Sequence, residues 1–487
     1  MKPSILLAII GLYFLVLLAV AYFTSRKADS QSFYIGNKQS PWYLVAFGMI
    51  GASLSGVTFV SVPGWVNATQ FSYFPMVLGY LLGYLVIGAV LMPLYYRLNL
   101  VSIYTYLKDR FGIASYKTGA SFFLLSRTIG AAFRLFLVAG VMQYIIFDSW
   151  NVPFWVTVAI TILLIWIYTF RGGIKTIVWT DSLQTFFMLL AVIMSIYVIA
   201  KNLNFGFGEL ISEVRNSEYA KMWFFEGLFQ DNRHFVNRFF GGAFIALTMT
   251  GLDQDMMQKN LSCKNIGDAQ KNMFWFSIVL VVVNIFFLAL GALLYIYAAQ
   301  KGISVPERPD YLFPEIAVNN LNSVAAIVFF LGLIAAAYSS ADSALTSLTT
   351  SFCIDILGFD PKDASATSKR KRITVHIGFS ILLLLLIIVF DQLGNDSVIS
   401  QIFSFAQLTY GPILGLFAFG LLTKWKSIDA LTPIICILAP VLAYAINQYG
   451  LKPSEYDLGY LLLPVNGGLT FLGLLFASLV NRNQVEN

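Results

Sequence analysis

The sequence predicts an all-α membrane protein whose helices cross the bilayer many times. Of its 487 residues, 58% are hydrophobic and only 11% are charged, and the mean hydropathy is +0.74. One soluble core cannot hide so large an apolar share, so lipid is the expected solvent for most of the chain. Apolar windows of roughly 20 residues, the length that crosses a hydrocarbon core of about 30 Å, recur from residue 4 almost to the end.

Charged residues and Gly/Pro breaks divide the chain into about thirteen candidate spans. No long Ser/Gly or Pro linker separates them, so a single membrane domain without an attached soluble enzyme is expected. The predicted spans lie at 4–24, 42–67, 74–98, 117–145, 153–171, 176–200, 237–257, 272–299, 323–352, 373–391, 398–422, 427–447 and 459–480.

Lysine and arginine indicate the orientation of these spans. If the N-terminus is outside, the heavier share of the 31 basic residues, including Lys369–Arg372, falls in cytoplasmic loops and the tail. We therefore expect an outside N-terminus and a cytoplasmic C-terminus in a cell membrane, for which a bacterial inner membrane fits best. The net charge of +6 is small for this length and requires no nucleic-acid partner.

The second span carries glycines and hydroxyl residues in the middle of a membrane segment. Glycine lowers helix stability by about 1 kcal/mol relative to alanine, so the helix can unwind here. Unwound backbone at membrane depth lines a cavity or is buried in protein, and freed carbonyls can bind a cation. Close helix packing through small residues explains the pattern equally well. The residues concerned are Gly48, Gly51, Ser53, Ser55, Gly56 and Thr58.

The ninth span places a carboxylate among hydroxyls. Ser339, Asp342 and Ser343 share one helical face, at positions i, i+3 and i+4. Their oxygens are the hard ligands that a small hard cation takes. Hydroxyls that bond their own backbone explain Thr349 and Thr350. They do not explain Asp342, whose charge needs a partner within the membrane.

Three further charged residues in predicted spans are candidates for a functional role. Asp181 could be a second carboxylate of an ion site, although its spacing favours an ion pair with Lys175. Arg127 and Arg134 are seven residues apart and share a helical face. Arg134 lies too far from either end of its span to snorkel easily. It either pairs with Asp342 or binds an anionic solute, whose carboxylate it can grip bidentately.

Other functional classes find little support. The three cysteines and two histidines are widely separated and match no disulfide or metal spacing. No nucleophile, base and orienting group can be assembled, so we expect the chain not to be an enzyme. A channel is disfavoured because no repeated pore motif or ring of charges is present.

Several motifs, in order along nearly the whole chain, resemble the sodium/solute symporter family, which includes glucose, proline and sialic acid carriers. They are Gly172-Gly173 with Val178-Trp179-Thr180-Asp181, Gly251-Leu-Asp-Gln254 with Gln258, and Ala335-Ala336-Ala337 with Ser339-Ser340. The resemblance implies a LeuT-like inverted repeat of two five-helix halves with midplane sites beside broken helices. The halves would be 42–200 and 237–422, with an extra helix at 4–24 and two at 427–480.

The resemblance also implies sites for co-transported sodium. The main sodium site would consist of Gly51, Leu54, Ala336, Ser339 and Ser340. A second sodium site would involve Asp181, Ser339, Asp342 and Ser343. Asp342 stands where sialic acid carriers have a hydroxyl residue, which leaves the ion and the stoichiometry of the second site open.

For the solute, the sialic acid carriers are similar at Ser53, Ser55, Thr58 and Arg134, and their arginine holds the substrate carboxylate. The sugar carriers bind solute through a glutamine on the eleventh span, for which Gln407 is the candidate. We therefore predict a sodium-coupled symporter that works as a monomer and imports a carboxylated solute, such as sialic acid or another sugar acid, by alternating access. The alternatives are symport of a neutral sugar or polyol, or a transporter-like membrane sensor.

Overall fold

In the computed structural model, described for residues 3–25, 30–169, 173–361, 363, 365–392 and 398–486, the chain is helical. Gly172 of the motif above lies outside these residues. The one strand-like pairing within them is an isolated bridge between Ser40 and Cys263. The long helices and two that flank a break are α1 Pro3–Ser25, α2 Trp42–Thr69, α3 Tyr73–Val86, α4 Ile113–Met142, α5 Phe154–Thr169, α6 Gly173–Asn202, α7 Phe235–Ala246, α8 Gln254–Leu261, α9 Ile266–Lys301, α10 Ser323–Ser351, α11 Ala366–Phe390, α12 Val398–Leu422, α13 Thr432–Ala445 and α14 Leu462–Glu486.

Wider helical turns and short helices complete the chain. Helix α3 continues through a π-helical turn into Met92–Arg97, and comparable turns extend α4, α7, α10 and α13. The π-helical turns are Ile87–Leu91, Gln143–Phe147, Leu247–Gly251, Ile316–Asn320, Phe352–Ile356 and Ile446–Leu451. The short α-helices are Ser30–Ile35, Thr105–Arg110, Phe207–Asn216 and Leu312–Glu315.

The predicted count of thirteen spans is not confirmed. Among the described residues, 10 helices are long and apolar enough to cross a membrane, and α7 with α8, bent by 62°, would make 11. The difference arises in two places. Trp42–Arg97 forms one apolar stretch of 56 residues where two spans were predicted, and α5 has only 16 residues. A 56-residue helix would be about 84 Å long, so two crossings remain the prediction for that stretch.

Helix α2 lies at the centre of the packing. It packs against α6, α9 and α10, and α6 in turn packs along the length of α10. Most of α2 and nearly every residue of α10 from Leu333 onward are buried. Polar side chains of these helices therefore face protein rather than lipid.

Two helices are interrupted, and each begins one of the predicted halves. Helix α2 contains a non-helical residue, Ser55. Helix α7 ends in a π-helical turn and is followed by α8 at 62°. The half boundaries come from the resemblance alone and remain a prediction; broken helices are typical of inverted-repeat transporters.

Candidate solute and sodium sites

The break in α2 lies in the segment that the glycines and hydroxyls predicted. Ser55 has φ 52° and ψ 173°, whereas the residues on both sides are helical. A left-handed φ is uncommon for a residue other than glycine and costs about 1–3 kcal/mol, so the surrounding packing must hold it.

Close helix packing, the other interpretation of this segment, is present as well. A Cβ on Gly51 would overlap the Thr185 hydroxyl of α6. A Cβ on Gly56 would lie 4.0 Å from Ala336 and 3.8 Å from Ala337 of α10. The glycines therefore bring the broken backbone of α2 directly against α10 and α6.

Three residues predicted to bind the main sodium ion belong to α10, which packs against α2. On α10, Ser340 Oγ donates to the Ala336 carbonyl at 3.2 Å, and Ser339 Oγ donates to Asp181 Oδ1 at 2.7 Å. A hydroxyl that donates its hydrogen still has lone pairs for a cation. The predicted set is thus chemically suited to sodium: Gly51, Leu54, Ala336, Ser339 and Ser340.

Asp181 makes a different ion pair from the one that its spacing favoured. Its Oδ2 accepts from Lys259 Nζ at 2.7 Å, and both side chains are 1% exposed. Among the described residues, Lys175 makes no ion pair with it. The pairing with Lys175 was wrong because Asp181 points inward from α6 towards α8, and the sequence spacing could not show this contact.

Asp342 does not pair with Arg134, which was one of the two alternatives. Its Oδ2 accepts from the Tyr168 hydroxyl of α5 at 2.8 Å. Its Oδ1 is buried without a hydrogen-bond partner. Helix α10 turns Asp342 towards α5, whereas Arg134 on α4 lines a cavity on another side of the bundle.

The four residues of the predicted second sodium site have different partners. Ser339 bonds Asp181 and Asp342 bonds Tyr168, as above. Ser343 Oγ donates to Asp255, which also forms a buried ion pair with Arg127. The side-chain hydrogen bond that joins two members of this set is the one from Ser339 to Asp181.

A central cavity opens beside the break in α2. The predicted solute ligands Ser53, Ser55, Thr58 and Arg134 all line it. The other lining residues come from α2, α3, α4, α7 with its π-helical turn, α8, α9 and α12. The structure thus brings together four of the five residues predicted to contact the solute.

The two arginines of α4 differ in their counter-charges. Arg127 pairs with Asp255 and lies 4.0 Å from Asp253, which also accepts a 2.5 Å hydrogen bond from the Tyr410 hydroxyl. Among the described residues, no carboxylate lies within 4.0 Å of the Arg134 guanidinium. A cation without a close counter-charge at this depth is costly, and an anionic ligand would stabilise it.

Sequence reasoning missed several polar residues of the cavity. Tyr73, Tyr80 and Tyr84 line it, as does Asn284 of α9. The tyrosines occur at i, i+7 and i+11 and therefore share one face of α3. That spacing was a signal in the sequence, because aromatic rings with polar tips repeat on a single face of an apolar helix.

Comparison with known proteins assigns the family. The model of the sodium:solute symporter family matches residues 33–430. The chain belongs to the sodium:solute symporter family. The symporter is accordingly a multi-pass membrane transporter and not an enzyme, and sodium is its coupling ion.

Three similar proteins illustrate the relationship. A sodium/sialic acid symporter of Aliivibrio fischeri is 27% identical over 86% of this chain and 83% of its own. The mouse sodium-coupled monocarboxylate transporter 1 is 24% identical over 88% of this chain and 69% of its own. A solved Na⁺-coupled sialic acid symporter, substrate-bound and outward-open, has a TM-score of 0.83 at 20% identity over 98% of each chain. This likeness supports the predicted LeuT-like fold.

One predicted solute ligand of the symporter lies elsewhere. Gln407 lines a second cavity together with Arg238 and Tyr460, separate from the residues that surround Arg134. Its carbonyl accepts from Asn466 of α14. The assignment of Gln407 to the central cavity is therefore not supported, because Gln407 belongs to the part of α12 that borders the second cavity.

Proposed function

We propose that this symporter imports a carboxylated solute together with sodium, and that sialic acid or another sugar acid is the best candidate. The observation that carries the proposal is Arg134, which lines the central cavity with no carboxylate within 4.0 Å among the described residues. Both relatives named above transport solutes that carry a carboxylate. A guanidinium recognises this group through two parallel hydrogen bonds.

The hydroxyls opposite Arg134 suit the rest of such a solute. Ser53, Ser55 and Thr58 provide donors and acceptors for sugar hydroxyls at the break in α2. Tyr80, Tyr84 and Asn284 add an amphipathic wall. A pocket that combines a few polar groups with aromatic side chains fixes the orientation of a small polar solute.

Sodium and solute would be coupled through α2. The proposed main sodium site lies between the broken part of α2 and α10, and the solute hydroxyl ligands belong to the same broken segment. Sodium that holds α2 against α10 would also position Ser53 and Ser55 for the solute. Such coupling is reciprocal, so solute should tighten sodium binding by the same factor by which sodium tightens solute binding.

The arrangement in the membrane follows the same proposal. The N-terminus lies outside and the C-terminus in the cytoplasm, as the basic residues indicate. The halves 42–200 and 237–422 rock against each other to alternate access, while 4–24 and 427–480 flank them in the lipid bilayer. We propose that the symporter works as a monomer, with one central cavity in each chain.

Uptake into proteoliposomes tests the proposal. The panel contains sialic acid, short monocarboxylates, proline, glucose, galactose and inositol, each with and without an inward sodium gradient. We expect sodium-driven uptake of a carboxylated member. Uptake of a neutral sugar instead would leave Arg134 a structural role, and no sodium-driven uptake of any member would favour the sensor alternative.

Arg134→Gln then tests the role of the guanidinium. A hydrogen bond to a charged group contributes about 1.5–3 kcal/mol, so the variant should raise the KM for the acid roughly 10- to 150-fold. The amide derivative of the same solute should lose far less. Arg215→Gln, at an exposed position outside the cavity, is the matched control. Equal losses for acid and amide would contradict carboxylate recognition by Arg134.

A further inference from the structure

Arg238, near the start of α7, is a second buried arginine without a close counter-charge. Its side chain belongs to a residue that is 2% exposed, and no ion pair of the described part of the chain includes it. Its Nη1 donates to the Tyr460 hydroxyl at 3.4 Å, and its Nε is buried without a hydrogen-bond partner. The rings of Trp65 and Tyr460 lie 5.1 and 4.9 Å from the guanidinium carbon. Such rings stabilise a cation and leave its in-plane N–H groups available for a ligand.

The second cavity, which Arg238 lines, has an excess of positive charge. Three cationic and two acidic side chains surround it. Asp231 lies close enough to feel the charge of Arg238, but both of its oxygens are taken by Arg233, at 3.0 and 2.9 Å. Asp457 lies 3.7 Å from Lys452. With these two acids compensated, Arg238 is the cation in excess, and an anion would complete the balance.

The size and the lining of the second cavity suit a small polar solute. Its volume is about 480 Å³, within the range of about 300–1,000 Å³ that is typical of ligand pockets. Ser400 and Ser404 of α12 line it and provide hydroxyls that can donate and accept hydrogen bonds. Their neighbours Ile399 and Phe403 line the central cavity instead. Helix α12 therefore stands between the two cavities, with a polar face towards Arg238.

Two pairs of aromatic side chains also separate the cavities. Trp65 and Tyr460 line the second cavity, whereas Tyr73 and Phe403 line the central one. The ring centroids of Trp65 and Tyr73 are 6.2 Å apart, and those of Tyr460 and Phe403 are 5.7 Å apart. A single layer of side chains thus lies between Arg238 and the central cavity. In the proposed orientation, the chain before α7 and the turn between α13 and α14 are outside, so the second cavity is on the outer side.

We propose that Arg238 forms an outer site for the carboxylate of the incoming solute. The solute binds there first, and it passes the aromatic layer when Trp65 and Tyr460 move away from Tyr73 and Phe403. The guanidinium binds the carboxylate through its free N–H groups, and the α12 hydroxyls bind the rest of the solute. This inference rests on the proposed import of a carboxylated solute.

Binding of radiolabelled sialic acid to the purified protein in detergent, at saturating sodium, separates the two proposals. The wild type should bind one molecule tightly at Arg134 and a second one more weakly at Arg238. Arg134→Gln should lose the tight molecule and keep the weak one. A wild type that binds a single molecule, lost in Arg134→Gln, would overturn the outer site and retain the proposed import. Binding through Arg238 without sodium-driven uptake of any carboxylated solute would overturn the proposed import and retain the outer site.

Arg238→Gln tests the residue directly. The affinity of the weak site should fall at least roughly 10-fold, because a hydrogen bond to a charged group is lost. The affinity at Arg134 should not change, whereas the KM for uptake should rise because entry is slower. Arg215→Gln, exposed and outside both cavities, is the matched control. Unchanged weak binding in Arg238→Gln would overturn the site, and an unchanged KM would overturn its role in entry.

The amide derivative of sialic acid tests the site even if Arg238→Gln fails to fold. In Arg134→Gln the remaining molecule is the one at Arg238. Unlabelled sialic acid should displace it, and the amide should not, since the amide lacks the charge that Arg238 recognises. Equal displacement by acid and amide would overturn carboxylate recognition at this site.

Discussion

Replacement of Lys259 by methionine would test the buried ion pair on which the sodium assignments depend. The Lys259 ammonium lies 2.7 Å from Asp181 Oδ2, and each side chain is 1% exposed. Methionine has a similar length and removes the charge and its donors. Asp181 would remain buried and keep its hydrogen bond from Ser339, but it would lose its counter-charge.

The expected cost follows from the burial of the remaining carboxylate. Removal of one partner from a buried ion pair costs roughly 3–5 kcal/mol, because the other charge is left uncompensated. At about 1.4 kcal/mol per factor of ten, the ratio of folded to unfolded protein falls at least about 100-fold. The double variant Asp181→Asn with Lys259→Met contains neither charge. Most of the loss should be recovered in it, since a neutral replacement of a buried pair is often close to neutral in stability.

Thermal unfolding in detergent, followed by intrinsic tryptophan fluorescence, compares the stabilities of these variants. The wild type and the double variant should melt well above Lys259→Met. Lys271→Met, at an exposed position of α9, is the matched control and should melt with the wild type. The interpretation of Asp181 as a neutralised carboxylate would be refuted by a Lys259→Met protein that melts with the wild type. It would equally be refuted by a double variant no more stable than Lys259→Met.

Two further predictions concern the main sodium site and the connection between α8 and α9. Ser340→Ala removes one of five proposed sodium ligands, which should weaken sodium binding by about 1–2 kcal/mol. The sodium concentration for half-maximal uptake should then rise roughly 5- to 30-fold. Unchanged sodium dependence would exclude Ser340 from the site. Burial raises the pKa of the Cys263 thiol to about 12. Because the thiolate is the reactive form, Cys263 should resist maleimide at pH 8 in the folded protein and react after denaturation. Mass spectrometry would measure the labelling. Rapid labelling of the folded protein would contradict this prediction.

The break in α2 and the polar face of α10 were predictable because both are local features. Three glycines within nine residues weaken a helix wherever it lies, and a carboxylate within an apolar span must be buried among protein groups. The residues Ser53, Ser55, Thr58 and Arg134 also share a cavity as expected. These residues were recognisable because polar and charged side chains are uncommon within apolar membrane spans.

The importance of Lys259 was overlooked because the predicted seventh span ended too early. It stopped at residue 257, whereas α8 continues to Leu261 and buries Lys259. Asp255 lies within the predicted span, but its partners Arg127 and Ser343 are on distant helices, so the sequence could not show these contacts. Helices α7 and α8 are bent by 62° relative to each other. A hydropathy window assumes a straight helix and therefore does not include the helical residues after the bend.

By itself the sequence determined the solvent of the chain, the helical fold, the place where α2 breaks and the residue types that face the interior. Hydrophobicity and helical periodicity depend on neighbouring residues, so these properties are readable locally. Only the tertiary structure decided the partners: Lys259 rather than Lys175 for Asp181, Tyr168 rather than Arg134 for Asp342, and a different cavity for Gln407. Each of these contacts depends on how far two distant helices rotate and slide against each other. That rotation is set by the packing of the whole bundle and not by any single segment.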